Sequence, residues 1–219
     1  MKIKGAIFDL DGTILDSMFI WDTIAQKYLQ SKGIVFPSGL NKQFLKMSIL
    51  QAAQYFKDNY GLLESTDEIV DEINGMIEYF YKGVVKIKPG MLELLQAFKK
   101  DDVKMCIATA TDRYMVEEAL EFTKISEYFS GIITCTELEC DKNTPTIFKK
   151  ALSTIGTNKE NTIVFEDALH AIESAKSDGF CVAGVYDKSA DSVQEKIKEI
   201  SDYYITSYHD FLSIIAKEQ

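Results

Sequence analysis

The sequence predicts an α/β fold: a doubly wound parallel sheet with an all-helical second domain inserted after the first strand. Three observations carry this. Short apolar runs recur along the 219 residues, each followed by a helical pattern. The runs are apolar on both faces rather than alternating, as in a parallel sheet covered by helices. Between Asp16 and Lys88 the alternation stops and the pattern stays helical, a stretch far longer than the dozen or so residues a crossover needs. The α/β core is therefore expected at 1–15 and 89–219, and the helical domain at 16–88.

In chain order, strands are expected at 3–10, 104–108, 131–134, 162–165 and 181–185, with a short last one at 203–205. Pro89 suits the first turn of a helix ending near Lys99. Thr144 is expected to cap the next helix, with Pro145 at its first position and Gly156 just past its end. A further helix spans 168–177 and stops at Gly179. Within the insertion, 17–32 places Ile20, Ile24 and Tyr28 on one side and ends at Gly33, and 48–59 ends near Gly61. Ser65-Thr66-Asp67-Glu68 has the form of a capping box opening a helix over 69–81. Phe19, Trp21 and Tyr28 begin this insertion and read either as packing among its helices or as the lining for a substrate tail.

Composition narrows the function. A chain that is 46% hydrophobic can build a sizeable core, and a net charge of −10 opposes binding to a nucleic-acid backbone. A small phosphorylated molecule stays compatible, because one bound cation reverses the local field. No run approaches 18 continuous apolar residues, so no membrane span is expected. With Met1-Lys2-Ile3-Lys4 leading directly into the first strand, a cytoplasmic protein is expected. Cys106 and Cys181 fall in strands, and Cys135 and Cys140 are separated by four residues without a nearby histidine. Neither a zinc site nor a disulfide is expected.

The chemistry concentrates at Ala6-Ile7-Phe8-Asp9-Leu10-Asp11-Gly12-Thr13, where an apolar strand runs into two carboxylates. Burying unpaired charge is costly, so carboxylates at a buried strand end suggest a task. Two of them can serve one metal and one reacting group; a strand followed by an acidic turn is the plainer alternative.

Further segments resolve the choice. Asp9-Leu10-Asp11-Gly12-Thr13 resembles the first motif of the haloacid dehalogenase superfamily of phosphohydrolases. Ile107-Ala108-Thr109 resembles its second, Lys142 its third, and Val164-Phe165-Glu166-Asp167-Ala168, followed by Gly179, its fourth. The helical insertion is similar to the cap of the β-phosphoglucomutase-like branch. This resemblance implies a Mg²⁺-dependent phosphatase in which Asp9 attacks phosphorus and forms an aspartyl-phosphate. Asp11 would be the general acid and then the base, Thr109 would donate to a phosphoryl oxygen, and Lys142 would offset charge and orient Asp9. Asp9, Glu166 and Asp167 would supply the hard oxygen ligands that Mg²⁺ prefers. The family pattern adds the backbone carbonyl of Asp11 to that metal set. Asp16, Ser17 and Asp112 are supporting candidates, and His170 and His209 receive no role.

The expected partner is a small phosphorylated metabolite, a sugar phosphate or a nucleotide-like compound, with no nucleic acid and no membrane. The oligomeric state is expected to be monomer or dimer. Mutases of the same branch carry a histidine five residues after the aspartate that matches Asp16, and this chain has Trp21 there. A phosphosugar mutase is thus the second reading, and a non-catalytic phosphometabolite-binding module the third.

Overall fold

The computed structural model describes residues 2–36, 47 and 49–215. The chain divides into two compact units, one formed by Met1–Asp16 with Val85–Gln219 and the other by Ser17–Val84.

The larger unit is built on a six-stranded sheet in the order β5-β4-β1-β6-β7-β8. The strands are β1 (Gly5–Phe8), β4 (Lys104–Thr109), β5 (Ile132–Thr134), β6 (Thr162–Glu166), β7 (Cys181–Val185) and β8 (Tyr203–Ile205). Every pairing in it is parallel. The alternation of strand side chains divides the core between two faces. On one face Ile7, Cys106 and Val164 pack with Ile147, Phe148 and Ala151 of α6 (Thr146–Ile155) and Ile172 of α7 (Leu169–Ser177). On the other, Phe8 stacks on its register partner Phe165 at 4.4 Å. Phe98 of α4 (Met91–Lys100) and Phe211 of α9 (Tyr208–Ile215) pack edge-on against Phe165. Fully buried aromatic rings of this kind contribute about 1.5–3 kcal/mol each, so both faces hold the sheet in place. The remaining core helices are α5 (Arg113–Thr123), after β4, and α8 (Gln194–Ile200), before β8.

Two features depart from the expected elements. The α6 helix begins at Thr146 with Pro145 as its cap residue, one position later than expected. Thr144 makes no cap bond; its hydroxyl pairs with that of Thr146 at 3.1 Å. The unit boundaries lie at Asp16 and Val85 rather than at 15 and 88. A two-residue antiparallel ladder accounts for this, since β2 (Leu15–Asp16) pairs with β3 (Lys86–Ile87). The Lys88 amide then donates to Ile14 O at 2.8 Å.

The smaller unit contains α1 (Met18–Ser31), α2 (Ile49–Tyr60) and α3 (Thr66–Gly83). Ser48, the expected start of the second of these, lies outside the described residues. Ser65 and Glu68 form both bonds of the capping box, which draws the start of α3 forward to Thr66. Tyr28 is buried, stacks on Phe56 at 5.6 Å and donates its hydroxyl to Glu72 at 2.9 Å. Phe19 sits edge-on against Phe80 yet stays exposed, and Trp21 lines a cavity of about 110 Å³ with Ile24, Phe56 and Ile73. No helix among the described residues is long and apolar enough to cross a membrane.

Candidate active site

β1 lies between β4 and β6, so the carboxyl ends of three central strands form one edge. The chain leaves β1 toward β4 and β5 on one side and later returns to β6 on the other. That reversal marks the point where open parallel sheets bind ligands. The Asp9 amide donates to Phe165 O at 2.9 Å, extending the ladder one residue and setting Asp9 at the sheet edge.

A tight turn follows. Ile14 N donates to Leu10 O at 2.9 Å and Gly12 N to Leu15 O at 3.0 Å. Gly12 has φ +78°, and a Cβ there would stand 2.3 Å from Asp167 Oδ2. Glycine is required for both reasons, conformation and close approach. Thr13 then donates its hydroxyl to Asp167 Oδ1 at 3.1 Å, while the buried Tyr208 hydroxyl donates to Thr13 O at 2.9 Å. Asp167 and the turn after β1 are thereby tied together although 154 residues separate them.

Asp9, Glu166 and Asp167 are all buried, and one oxygen of each lies within 4.8 Å of the others. Lys142, also buried, donates to Asp9 Oδ1 and, at 2.8 Å, to Glu166 Oε2. Glu166 Oε1 accepts the amides of Asp167 and Ala168 at 3.2 and 3.1 Å. Burial and the Glu166 charge push the Asp9 carboxyl up to about 7, against the pull of Lys142. Burial, Glu166 and Asp9 raise Asp167 well above the usual carboxylate range. Burial alone would lower Lys142, but Asp9 and Glu166 outweigh it and keep its ammonium charged. Three carboxyl groups thus face a single ammonium. This donor set suits a hard divalent cation: carboxylate oxygens, buried, crowded and costly to ionise together.

The Asp11 carboxylate is not part of that trio. Its Oδ2 accepts the Thr111 hydroxyl at 2.6 Å. Thr109, at the end of β4 and buried, accepts the Thr111 amide on its hydroxyl oxygen at 3.1 Å. Its own proton can therefore be donated to an incoming oxygen. Asp112 is turned to Thr136, whose hydroxyl donates to it at 2.6 Å, and Asp16 and His170 are exposed. Ser17 is buried in the helical unit, and His209 stands 3.5 Å from Glu93 on the surface.

Two participants carry no sequence signal of their own. Thr111 follows the second motif with no spacing rule to mark it, and Tyr208 is one of 11 tyrosines in the sequence. Thr13 belongs to the first motif, but its bond to Asp167 could not be read from it. Asp187 is a further neighbour: it is buried, and its charge raises Asp167 further.

These features define a hydrolase of known type. The model of the haloacid dehalogenase-like hydrolase family matches residues 6–185, and the chain belongs to that family. Among its relatives is a phosphorylated carbohydrates phosphatase of Thermotoga maritima, 22% identical over 81% of this chain and 82% of that protein. Pyrophosphatase PpaX of Anoxybacillus flavithermus is 26% identical over 84% of each chain. The crystal structure of a β-phosphoglucomutase from Clostridium difficile superposes with a TM-score of 0.71 at 22% identity, covering 98% of this chain and 96% of the other.

Proposed function

We propose that this hydrolase is a Mg²⁺-dependent phosphatase that cleaves a small phosphorylated metabolite through an aspartyl-phosphate on Asp9. One observation carries the reading: a buried carboxylate at the tip of the central strand, gripped by a buried lysine and crowded by two further carboxylates. A purely structural role gains nothing from concentrating that much negative charge. The relatives named as phosphatases support a phosphorylated substrate.

In this reading one carboxylate oxygen of Asp9 attacks phosphorus in line with the leaving oxygen. Lys142 holds that carboxylate through Oδ1, and its ammonium lowers the repulsion of an arriving phosphate. Thr109 donates its hydroxyl to a phosphoryl oxygen. Asp11 protonates the leaving oxygen, then takes a proton from the water that opens the aspartyl-phosphate. Asp9, Glu166 and Asp167, with the backbone carbonyl of Asp11, would hold Mg²⁺, which supplies charge neutralisation at the phosphoryl group. Glu166 is already engaged on both oxygens, so Asp9 and Asp167 bear the larger part.

The test is phosphate release from p-nitrophenyl phosphate and a panel of sugar phosphates and nucleotides, with Mg²⁺ and after chelation. Release that requires Mg²⁺ and falls by about three orders of magnitude or more in Asp9→Asn is the expected result. Folded wild-type protein that releases phosphate from none of them, or an Asp9→Asn variant as active as wild type, would falsify the proposal.

A further inference from the structure

The hydrogen bond between Thr111 and Asp11 stands beside the backbone bonds that close the turn. Residues 10–15 are closed by Ile14 N and Leu15 N donating to Leu10 O, both at 2.9 Å, and by Gly12 N donating to Leu15 O at 3.0 Å. The Thr111 hydroxyl reaches across 100 residues of sequence to donate to Asp11 Oδ2 at 2.6 Å, with both side chains buried. That separation falls in the range of a charge-assisted bond from hydroxyl to carboxylate. Thr111 is itself fixed, because its amide donates to Thr109 Oγ1 at 3.1 Å. The last residue of β4 thus anchors the threonine that holds the carboxyl.

We infer that Thr111 is a positioning residue for proton transfer: it holds the Asp11 carboxyl through Oδ2 in the orientation from which the proton is delivered and recovered. The inference rests on the reading of Asp11 as general acid given above. A carboxyl has two equivalent oxygens and two side-chain torsions, so an unanchored one spreads its proton over many directions. Effective transfer requires a heavy-atom separation of roughly 2.6–3.2 Å, and a displacement of about 1 Å can cost on the order of a hundredfold. In the phosphorylation step the phosphorus–leaving-oxygen bond breaks as the Asp9–phosphorus bond forms. The departing electron pair stays on the leaving oxygen, which takes the proton from the Asp11 carboxyl.

Leaving-group dependence separates this role from a structural one. A dinitrophenolate departs as a stable anion, whereas an alkoxide needs its proton as it leaves. The measurement is first-turnover release of the leaving group with Mg²⁺ and enzyme in excess, which reports bond cleavage before the intermediate hydrolyses. The substrates are 2,4-dinitrophenyl phosphate and an alkyl phosphate that the wild type turns over. Thr111→Val is expected to slow the alkyl ester at least about tenfold more than the aryl ester, the weight of one charged hydrogen bond. Thr111→Ser, which keeps the hydroxyl, should restore the alkyl rate to within about threefold. Thr111→Ala carries the same test if the valine variant does not fold. Equal losses on both esters, or no loss on either, overturn the inference. Asp11→Asn run beside them tells the two readings apart. If it discriminates between esters and the Thr111 variants do not, the positioning role is wrong and the acid stands. If Asp11→Asn treats both esters alike, the assignment of the acid itself fails, and the role of Thr111 with it.

Discussion

Gly12 is where backbone conformation and site geometry meet. Its φ of +78° is costly for a residue with a side chain, and the missing Cβ leaves the space that Asp167 Oδ2 occupies. Gly12→Ala must therefore either distort the turn or push Asp167 away from Asp9. We expect turnover to fall by about a hundredfold, since displacements near 1 Å at a reacting centre cost that much, and stability to drop by about 1–3 kcal/mol through backbone strain. Steady-state kinetics beside urea denaturation would check this; a variant with wild-type turnover would mean that the turn is not tied to the chemistry. At this scale the sequence was legible where a carboxylate ends a buried strand and where a family motif marks the residue. Asp9 could be picked out on the first ground, Glu166, Asp167 and Lys142 on the second, and the structure brings all four together. Thr111 and Tyr208 could not, because hydroxyls are common and what distinguishes these two is a partner 100 and 195 residues away.

Elements were legible in proportion to the length of their pattern. The strands of the six-stranded sheet lie within a residue or two of the apolar runs, because burial on both faces leaves an uninterrupted signal. β2 and β3 were not, since two residues carry no periodicity, and their pairing moves the unit boundary to Val85. The segment just past β3 is held by an interaction equally silent in sequence. Lys88 donates to Asp187 Oδ2 and to Tyr186 O, each at 2.8 Å, and Asp187 also accepts the amide and hydroxyl of Ser189. Burial alone would raise the Asp187 carboxyl, but Lys88 and Ser189 prevail and hold it below its ordinary 3.8. A depressed carboxylate stabilises the fold above its unfolded value and loses that contribution as pH falls through the folded one. Asp187→Asn should therefore lower stability by about 1–2 kcal/mol at pH 7. The gap to wild type should close as the pH is brought below 3.8. Urea midpoints across that range test it, and a gap independent of pH would assign the loss to packing instead.

For the molecule as a whole, the carboxylate cluster is a liability that a bound cation would convert into a gain. Without one, burial and mutual repulsion raise Asp9 to about 7 and Asp167 well above its usual range. Between 3.8 and those raised values the native state keeps protons that the unfolded chain has released. Native protein binding the more protons means that cation-free stability declines as pH rises through the window. On the proposed reading Mg²⁺ would have to displace those same protons, so its affinity and its stabilising effect should grow across the same interval and level off above about 7 as far as Asp9 governs it. At a concentration 100 times the dissociation constant, binding adds about 2.7 kcal/mol. For a chain of 219 residues that corresponds to a rise in Tm of roughly 5–10 °C. Thermal unfolding in EDTA and in Mg²⁺, at pH 5 and pH 8 with ionic strength matched by NaCl, would measure it. The expected outcome is a larger Mg²⁺ shift at pH 8, absent with NaCl alone and reduced in Asp167→Asn. Equal shifts at the two pH values would place the cation away from Asp9 and Asp167, because only a site that competes with their protons couples its affinity to pH in this direction.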